Sequence, residues 1–414
     1  MTETTSEVDR ELAASILPFD ALDPQYRTYP YPIYQKLREE KGDIFRTPGG
    51  MIAVLSHEGC QTVLTDPRLG YGDDPVVKDQ FKPNPDGPAG RPLIFMDPPD
   101  HTRVRALVSR AFTPRMVEKI RARTRELAVE AFAEARASAV DGVVDLMATF
   151  VRPLPGRVLD ALIDVPKRYH ADFIGMSNLS GRGLDPGFLL TEKEKQQRDE
   201  VREGFVSAGM EMARDRRANP GDDLISQLVI AYTEHGKLTE MELGMTLMNV
   251  LAAGFNATAG LIGNASLALL RHPEQYKWLR ENPDRIVSAT EELLRFDSPL
   301  QIVPRTAFEE LEIGDVTVQP GEHVAAVLGA GNHDPKAYDD PDVLNLARPA
   351  GQNLGFGHGI HFCIAAPIAR MTAHYALAEL VKHDVELTVE EPERFPGMVL
   401  RTLGELPVRL SSAA

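Results

Sequence analysis

Cysteine is nearly absent from this chain: two occur among 414 residues, Cys60 and Cys363. That excludes a disulfide framework and fits a reducing compartment. An excess of positive charge is lacking too. Lys and Arg total 45 against 61 Asp and Glu, a formal net charge of −16, which excludes the broad basic footprint of a nucleic-acid binder. The opening residues Met1 to Glu7 are polar and acidic, with neither the basic start nor the apolar core of a secretory leader. A cytoplasmic protein with no N-terminal membrane anchor is expected. Gly/Ser linkers, low-complexity tracts and internal repeats are missing as well, so one domain over 1–414 is expected.

One apolar run needs a separate reading. Leu243 to Leu270 holds no charged residue and is long enough to span a bilayer. Asn249, Asn256 and Asn264 recur along it, close to Gly260 and Gly263. Three amides suit a cavity better than lipid. The prediction is a long helix buried through the middle of the protein, its polar stripe facing a pocket.

Helix formers bounded by Pro, Gly, Asp or Ser predict further helices over Met116–Ala137, Glu192–Arg217, Pro283–Phe296 and Pro367–Lys382. Strand-like runs are short: Ile52–Leu55, Pro407–Leu410, and Leu311–Val318, whose central Gly314-Asp315 signals a hairpin. The fold class is mainly α with a small β lobe. Two irregular segments have the length of lids or binding loops. Asp73–Pro92 carries five prolines. Ser177–Leu190 mixes glycines with Leu184, Phe188, Leu189 and Leu190.

The most specific signal surrounds Cys363. The run Phe356-Gly357-His358-Gly359-Ile360-His361-Phe362-Cys363 precedes an apolar, helix-like stretch from Ile364 to Met371. Gly355, Gly357 and Gly359 let the backbone turn tightly and lie close to a flat object. A thiolate at a helix start is stabilised by free amides and the helix dipole. Together these features describe a cradle for an anionic sulfur ligand under a planar cofactor, of which haem is one.

The run resembles the haem-binding loop of the cytochrome P-450 superfamily, Phe-Gly-x-Gly-x-His/Arg-x-Cys-x-Gly, departing only at Ala365. The resemblance extends over essentially the whole chain. It implies the cytochrome P-450 fold, with a long central helix over haem b (iron protoporphyrin IX), Cys363 as iron ligand, and Phe356 beside it. It also implies that His101, Arg105, Arg305 and His361 hold the propionates. Glu292-Leu293-Leu294-Arg295 resembles the family's Glu-x-x-Arg signature, a structural pair behind the haem-binding loop. The two irregular segments correspond to loops that cover the substrate.

In the long helix, Ala253-Gly254-Phe255-Asn256-Ala257-Thr258 resembles the family pattern Ala-Gly-x-Asp/Glu-Thr-Thr/Ser. Gly254 lets the helix approach the iron or opens a local bulge. The acid and alcohol that usually relay protons during oxygen activation are replaced by Asn256 and Ala257. An amide does not ionise, and alanine has no hydrogen-bonding group. Thr258 lies about 100° further around the helix. Three explanations stand: a substrate hydroxyl or ordered water replaces the alcohol; the enzyme couples radicals, closes rings or uses peroxide directly; or the haem protein binds without oxidising.

The expected activity is monooxygenation, a hydroxylation or epoxidation of a medium or large oxygenated natural product of macrolide or polyketide type, as in antibiotic biosynthesis. The alternative is oxidative coupling on an aromatic or peptide-like substrate. The pocket is expected to be lined by Ala252, Phe255, Leu300, Ile302, Val303 and residues near Met398. Electrons would come from a separate ferredoxin, served by a ferredoxin reductase. The ferredoxin would dock near the arginine-rich segment (Arg103, Arg105, Arg110, Arg115), around Arg103 and Arg110.

Overall fold

The computed structural model describes residues 7–72, 91–110, 112–163, 182–221, 223–235, 238, 240–349 and 351–411. The site is framed by helices α1 (Tyr31–Lys41), α2 (Asp100–Ser109), α3 (Pro114–Ala137), α4 (Pro153–Ile163), α5 (Glu192–Ala218), α6 (Glu240–Arg271), α7 (Ile286–Phe296) and α8 (Ala366–Leu380). Local chemistry sets their ends. Thr191 opens α5 with a capping box: its hydroxyl accepts from Glu194 N at 3.3 Å, and Glu194 Oε2 accepts from Thr191 N at 2.8 Å. Thr113 caps α3 ahead of Pro114 in the first turn.

Strands are short and mostly at one side: β1 (Ile44–Arg46), β2 (Ile52–Val54), β3 (Leu69–Gly70), β4 (Val143–Asp145), β5 (Val303–Ala307), β6 (Leu311–Ile313), β7 (Val316–Val318), β8 (His323–Ala326), β9 (Val385–Leu387) and β10 (Pro407–Leu410). Five form a sheet in the order β1-β2-β8-β5-β3, in which only β2 and β8 run parallel. β6 and β7 are the predicted hairpin, pairing Leu311 with Val318 across Gly314-Asp315. β4, β10 and β9 make a third small sheet.

Helix α6 has 32 residues, about 48 Å at 1.5 Å per residue. It is long and apolar enough to cross a membrane, yet it runs through the interior, packed on α4, α5, α7 and α8. Leu243, Leu247, Leu261, Ile262, Ala265 and Leu269 are buried in the main core. The amide stripe is not uniform. Asn249 and Asn256 line a cavity, whereas Asn264 does not. Eight residues advance the helix about 80° beyond two turns. Asn264 is therefore turned onto the backbone of the neighbouring segments, where Nδ2 donates to the carbonyls of Asp297 (3.2 Å) and Arg401 (3.0 Å).

Two buried ionic groups hold the end of α7. Arg295 meets Glu292 with both Nε (2.7 Å) and Nη2 (2.9 Å), and both side chains are at most 3% exposed. Arg348 adds a second cation at 3.1 Å, and Arg295 Nη1 donates to the carbonyls of Asn332 and Pro341. The Glu-x-x-Arg pair is thus a buried clamp, not a solvated helix pair. Asp297, also buried, accepts from Tyr31 Oη at 2.8 Å and Arg401 Nε at 2.7 Å, and pairs with Arg394 at 3.1 Å. Burial alone would raise its pKa. Arg401 and Arg394 reverse that, so the carboxyl sits below its ordinary range. Replacing Glu292 by Leu strands Arg295 and Arg348 without their shared acid. A loss of about 3–5 kcal/mol is expected, read from urea unfolding.

Candidate functional site

Cys363 sits at the end of a loop fixed on both sides. Its amide donates to the Phe356 carbonyl at 3.0 Å, and Phe362 N donates to Gly359 O at 3.0 Å. Upstream, Leu354 N donates to Asn332 Oδ1 at 2.8 Å. Glu291 of α7 binds Arg370 of α8 (2.6 Å) and Asn353 (3.0 Å), and the Arg370 guanidinium covers the Phe356 ring at 4.4 Å. Gly359 has φ +65°, and a Cβ there would stand 2.4 Å from the Leu64 carbonyl oxygen. Only glycine fits that turn.

The cysteine is a free thiol, as is the fully buried Cys60, whose thiol burial pushes well above its usual range. Burial also raises the Cys363 thiol, opposed by the amides of Ala365 and Ala366 and by the charges of Arg105 and Arg370. The helix start therefore does point donors at sulfur. A metal cation supplies what those donors do not, since a coordinated thiol gives up its proton.

Above Cys363 lies a cavity of about 450 Å³, closed on the other side by Gly254, Asn256, Ala257, Thr258 and Leu261 of α6. The helix is regular through this stretch, with no bulge at Gly254. A Cβ on Gly254 would find Leu159 Cδ1 at 3.9 Å as its nearest neighbour outside its own helix backbone, among the described residues. Packing between protein atoms does not demand glycine here; the space left free belongs to the cavity. Thr258 lines it beside Ala257 in spite of the turn between them.

His101, Arg105, Arg305 and His361 come together at one edge of the cavity, from α2, β5 and the cysteine loop. The two imidazoles lie 4.3 Å apart, Arg305 stands over Tyr71 at 4.3 Å, and Arg105 Nη2 donates to the Phe362 carbonyl at 2.6 Å. Among the described residues neither arginine has an ion-pair partner. The nearby Asp97 accepts from Tyr71 N and Gly72 N. Burial, then the charge of Arg105, pushes His101 down to about 4. Burial, then Arg305, pushes His361 down to about 2. The buried Nε2 of His101 has no hydrogen-bond partner. Cations crowded without an anion are what the two propionates of a haem would complete, and the free thiol faces the same cavity. The donor set fits the group.

The walls correct several expectations. Leu300, Ile302, Val303 and Met398 line the cavity as expected. Phe255 does not: its ring packs on Gly156 of α4, where a Cβ would stand 2.7 Å from Cε2. The Ala252 side chain and most of Asp73–Pro92 lie outside the described residues, as do 177–181 of the second loop. From the remainder of that loop, Leu184 and Phe188 line the cavity, while Leu189 and Leu190 are buried elsewhere. Asp185 pins it: its Oδ1 accepts from Met398 N and Val399 N, both at 3.0 Å, and Arg182 pairs with it at 3.1 Å. Arg103 is not a free docking charge, being bound to Glu242 and Asp100.

Sequence patterns did not single out Asp185, or Arg198 and Arg202 on α5, which also line the cavity. The Arg198, Val201, Arg202, Phe205 spacing was the available signal for the latter.

Fold and site define a haem-thiolate protein. The sequence model of the cytochrome P-450 family matches residues 189–404. Mycinamicin IV hydroxylase/epoxidase of Micromonospora griseorubida is 36% identical over 385 residues, 91% of this chain and 94% of its own. The 6-deoxyerythronolide B hydroxylase of Saccharopolyspora erythraea is 35% identical over 347 residues, 83% of this chain and 81% of that enzyme. The solved structure of the Bacillus subtilis bacillaene polyketide synthase cytochrome P-450 PksS superposes with a TM-score of 0.83 at 31% identity, covering 95% of this chain and 100% of that one. The chain belongs to the cytochrome P-450 family, and it is a monooxygenase.

Replacing Gly359 by Ala forces a side chain into the left-handed region and against Leu64. The expected loss is at least about 1–2 kcal/mol, with reduced haem retention, measured by thermal melting and by the haem-to-protein absorbance ratio.

Proposed function

We propose that this cytoplasmic, single-domain chain hydroxylates or epoxidises a medium or large oxygenated natural product of macrolide or polyketide type. The cofactor we assign is haem b. When bound, it supplies a thiolate-ligated iron at which dioxygen is reduced and one oxygen atom is passed to substrate. Cys363 is the proposed ligand, with Phe356 beside it. His101, Arg105, Arg305 and His361 are the proposed propionate partners. The observation carrying this reading is one cavity that joins a free thiol, two arginines without an ion-pair partner among the described residues, and a largely apolar wall. The hydroxylase and epoxidase named among the relatives support the substrate class.

Proton delivery is the point of departure from the usual pattern. Asn256 can hold a water through its amide but cannot ionise, and Ala257 offers nothing. A hydroxyl on the substrate, or a water held against Asn256, then occupies the place of the missing alcohol. Thr258 is the chain's own alcohol in the cavity and the second route. The same replacement favours, as an alternative, direct use of peroxide or oxidative coupling on an aromatic or peptide-like substrate, which asks less of a relay.

Electrons are proposed to come one at a time from a separate ferredoxin, itself reduced by a ferredoxin reductase. Ile360 and Phe362 are exposed on the cysteine loop, and Arg110 and Arg115 are exposed nearby in sequence on the α2–α3 connection. With Arg103 already neutralised, these are the groups we assign to docking.

Three outcomes test the reading. Reduced protein exposed to carbon monoxide should show the strongly red-shifted Soret band of cysteinate ligation; a histidine-type band in fresh, active protein would sink the assignment. Cys363→Ser should lose that spectrum while keeping the far-ultraviolet circular dichroism. Ala257→Thr should raise the fraction of reductant that appears as product, on substrates lacking a hydroxyl. A positioned proton donor is worth roughly 10²–10⁴-fold, so a gain of about tenfold is expected from partial restoration. No gain on any such substrate counts against substrate assistance.

A further inference from the structure

Helix α5 turns one face to the cavity. Arg198, Val201, Arg202 and Phe205 all line it, at the i, i+3, i+4, i+7 spacing of a single face. Charge in that position is costly unless it is answered. The Arg198 side chain is 7% exposed, and its Nη1 is buried with no hydrogen-bond partner. Its Nε donates at 3.3 Å to Asp199, whose side chain is 59% exposed. A long contact to a solvated acid offsets little. Arg202 stands 3.7 Å from the same carboxylate and donates from Nη2 to the Gly183 carbonyl at 3.0 Å. Among the described residues, no Asp or Glu lines the cavity.

We propose that Arg198, with Arg202 beside it, binds a carboxylate of the substrate. This deepens the monooxygenase reading and rests on it. The buried, unpartnered Nη1 of Arg198 calls for an acceptor, which a monoanion supplies. A guanidinium also offers the planar fork that fits a carboxylate with two parallel hydrogen bonds. Leu184 and Phe188 supply apolar surface around it, so the ligand is an acid with an apolar body.

The test is titration of haem-loaded protein with matched acids and methyl esters: dodecanoic acid, naphthalene-2-acetic acid and 4-butylbenzoic acid, each against its ester. Binding is followed by the Soret shift and, independently of haem, by calorimetry. At least one acid should bind the wild type about tenfold more tightly than its ester. Arg198→Gln should bring that ratio to within about twofold, Arg198→Lys should keep part of it, and Asp199→Asn should widen it. Equal affinities across every pair, or a preference that survives Arg198→Gln, overturns the proposal. The carbon monoxide spectrum of each sample reports separately on the haem-thiolate reading. A normal spectrum without acid preference fails the anion site alone. An abnormal spectrum fails the reading beneath it.

Discussion

Buried charge at the end of α7 ties together stretches of chain that are far apart in sequence. Glu292 gathers Arg295 and Arg348, and Arg295 reaches the carbonyls of Asn332 and Pro341. The adjacent Glu291, about 100° around the helix, reaches Arg370 and Asn353, on either side of the cysteine loop. Asp297 draws in Tyr31 from α1 and Arg394 and Arg401 from the C-terminal segment. Arg401 continues to the Thr28 carbonyl at 2.6 Å. Such groups are expensive to desolvate and hold only when each lone pair and proton is met. Here they are met by residues from both ends of the chain, so the geometry of α7 is set only when the whole protein has folded around it.

The cavity draws on that rigidity. Its cysteine side stands on the α7 and α8 contacts. On another side Asp185 joins the 182–190 segment to Met398 and Val399, and Arg202 of α5 holds the Gly183 carbonyl. The regular α6 lies between, offering amides at Asn249 and Asn256 and an alcohol at Thr258 while Ala257 offers none.

Much of this was legible in residue order because the signals are local. The glycine–cysteine run, the Glu-x-x-Arg pair and the long apolar helix are each contiguous in sequence; the pair is the buried structural contact expected, and the helix runs through the interior. What was illegible depended on rotation or on distant partners. Phe255 and Asn264 share a helix with cavity residues but point elsewhere, since a few residues of advance swing a side chain through a large angle. Arg103 looked like a docking charge because Glu242, which binds it together with Asp100, is far away in sequence. Arg198 was not singled out, standing among the charged residues of 192–203. β5 and β8 were missed because they are short and β5 carries Pro304.

The pair of cysteines has a practical consequence. Cys60 is fully buried, and the half-buried Cys363 lines the cavity. A holoprotein with its sulfur on iron therefore presents a blank background to maleimides and spin labels. A single cysteine introduced on the exposed surface could carry a fluorophore or nitroxide without first stripping native thiols, and distances across the substrate cover could then be followed as ligand enters.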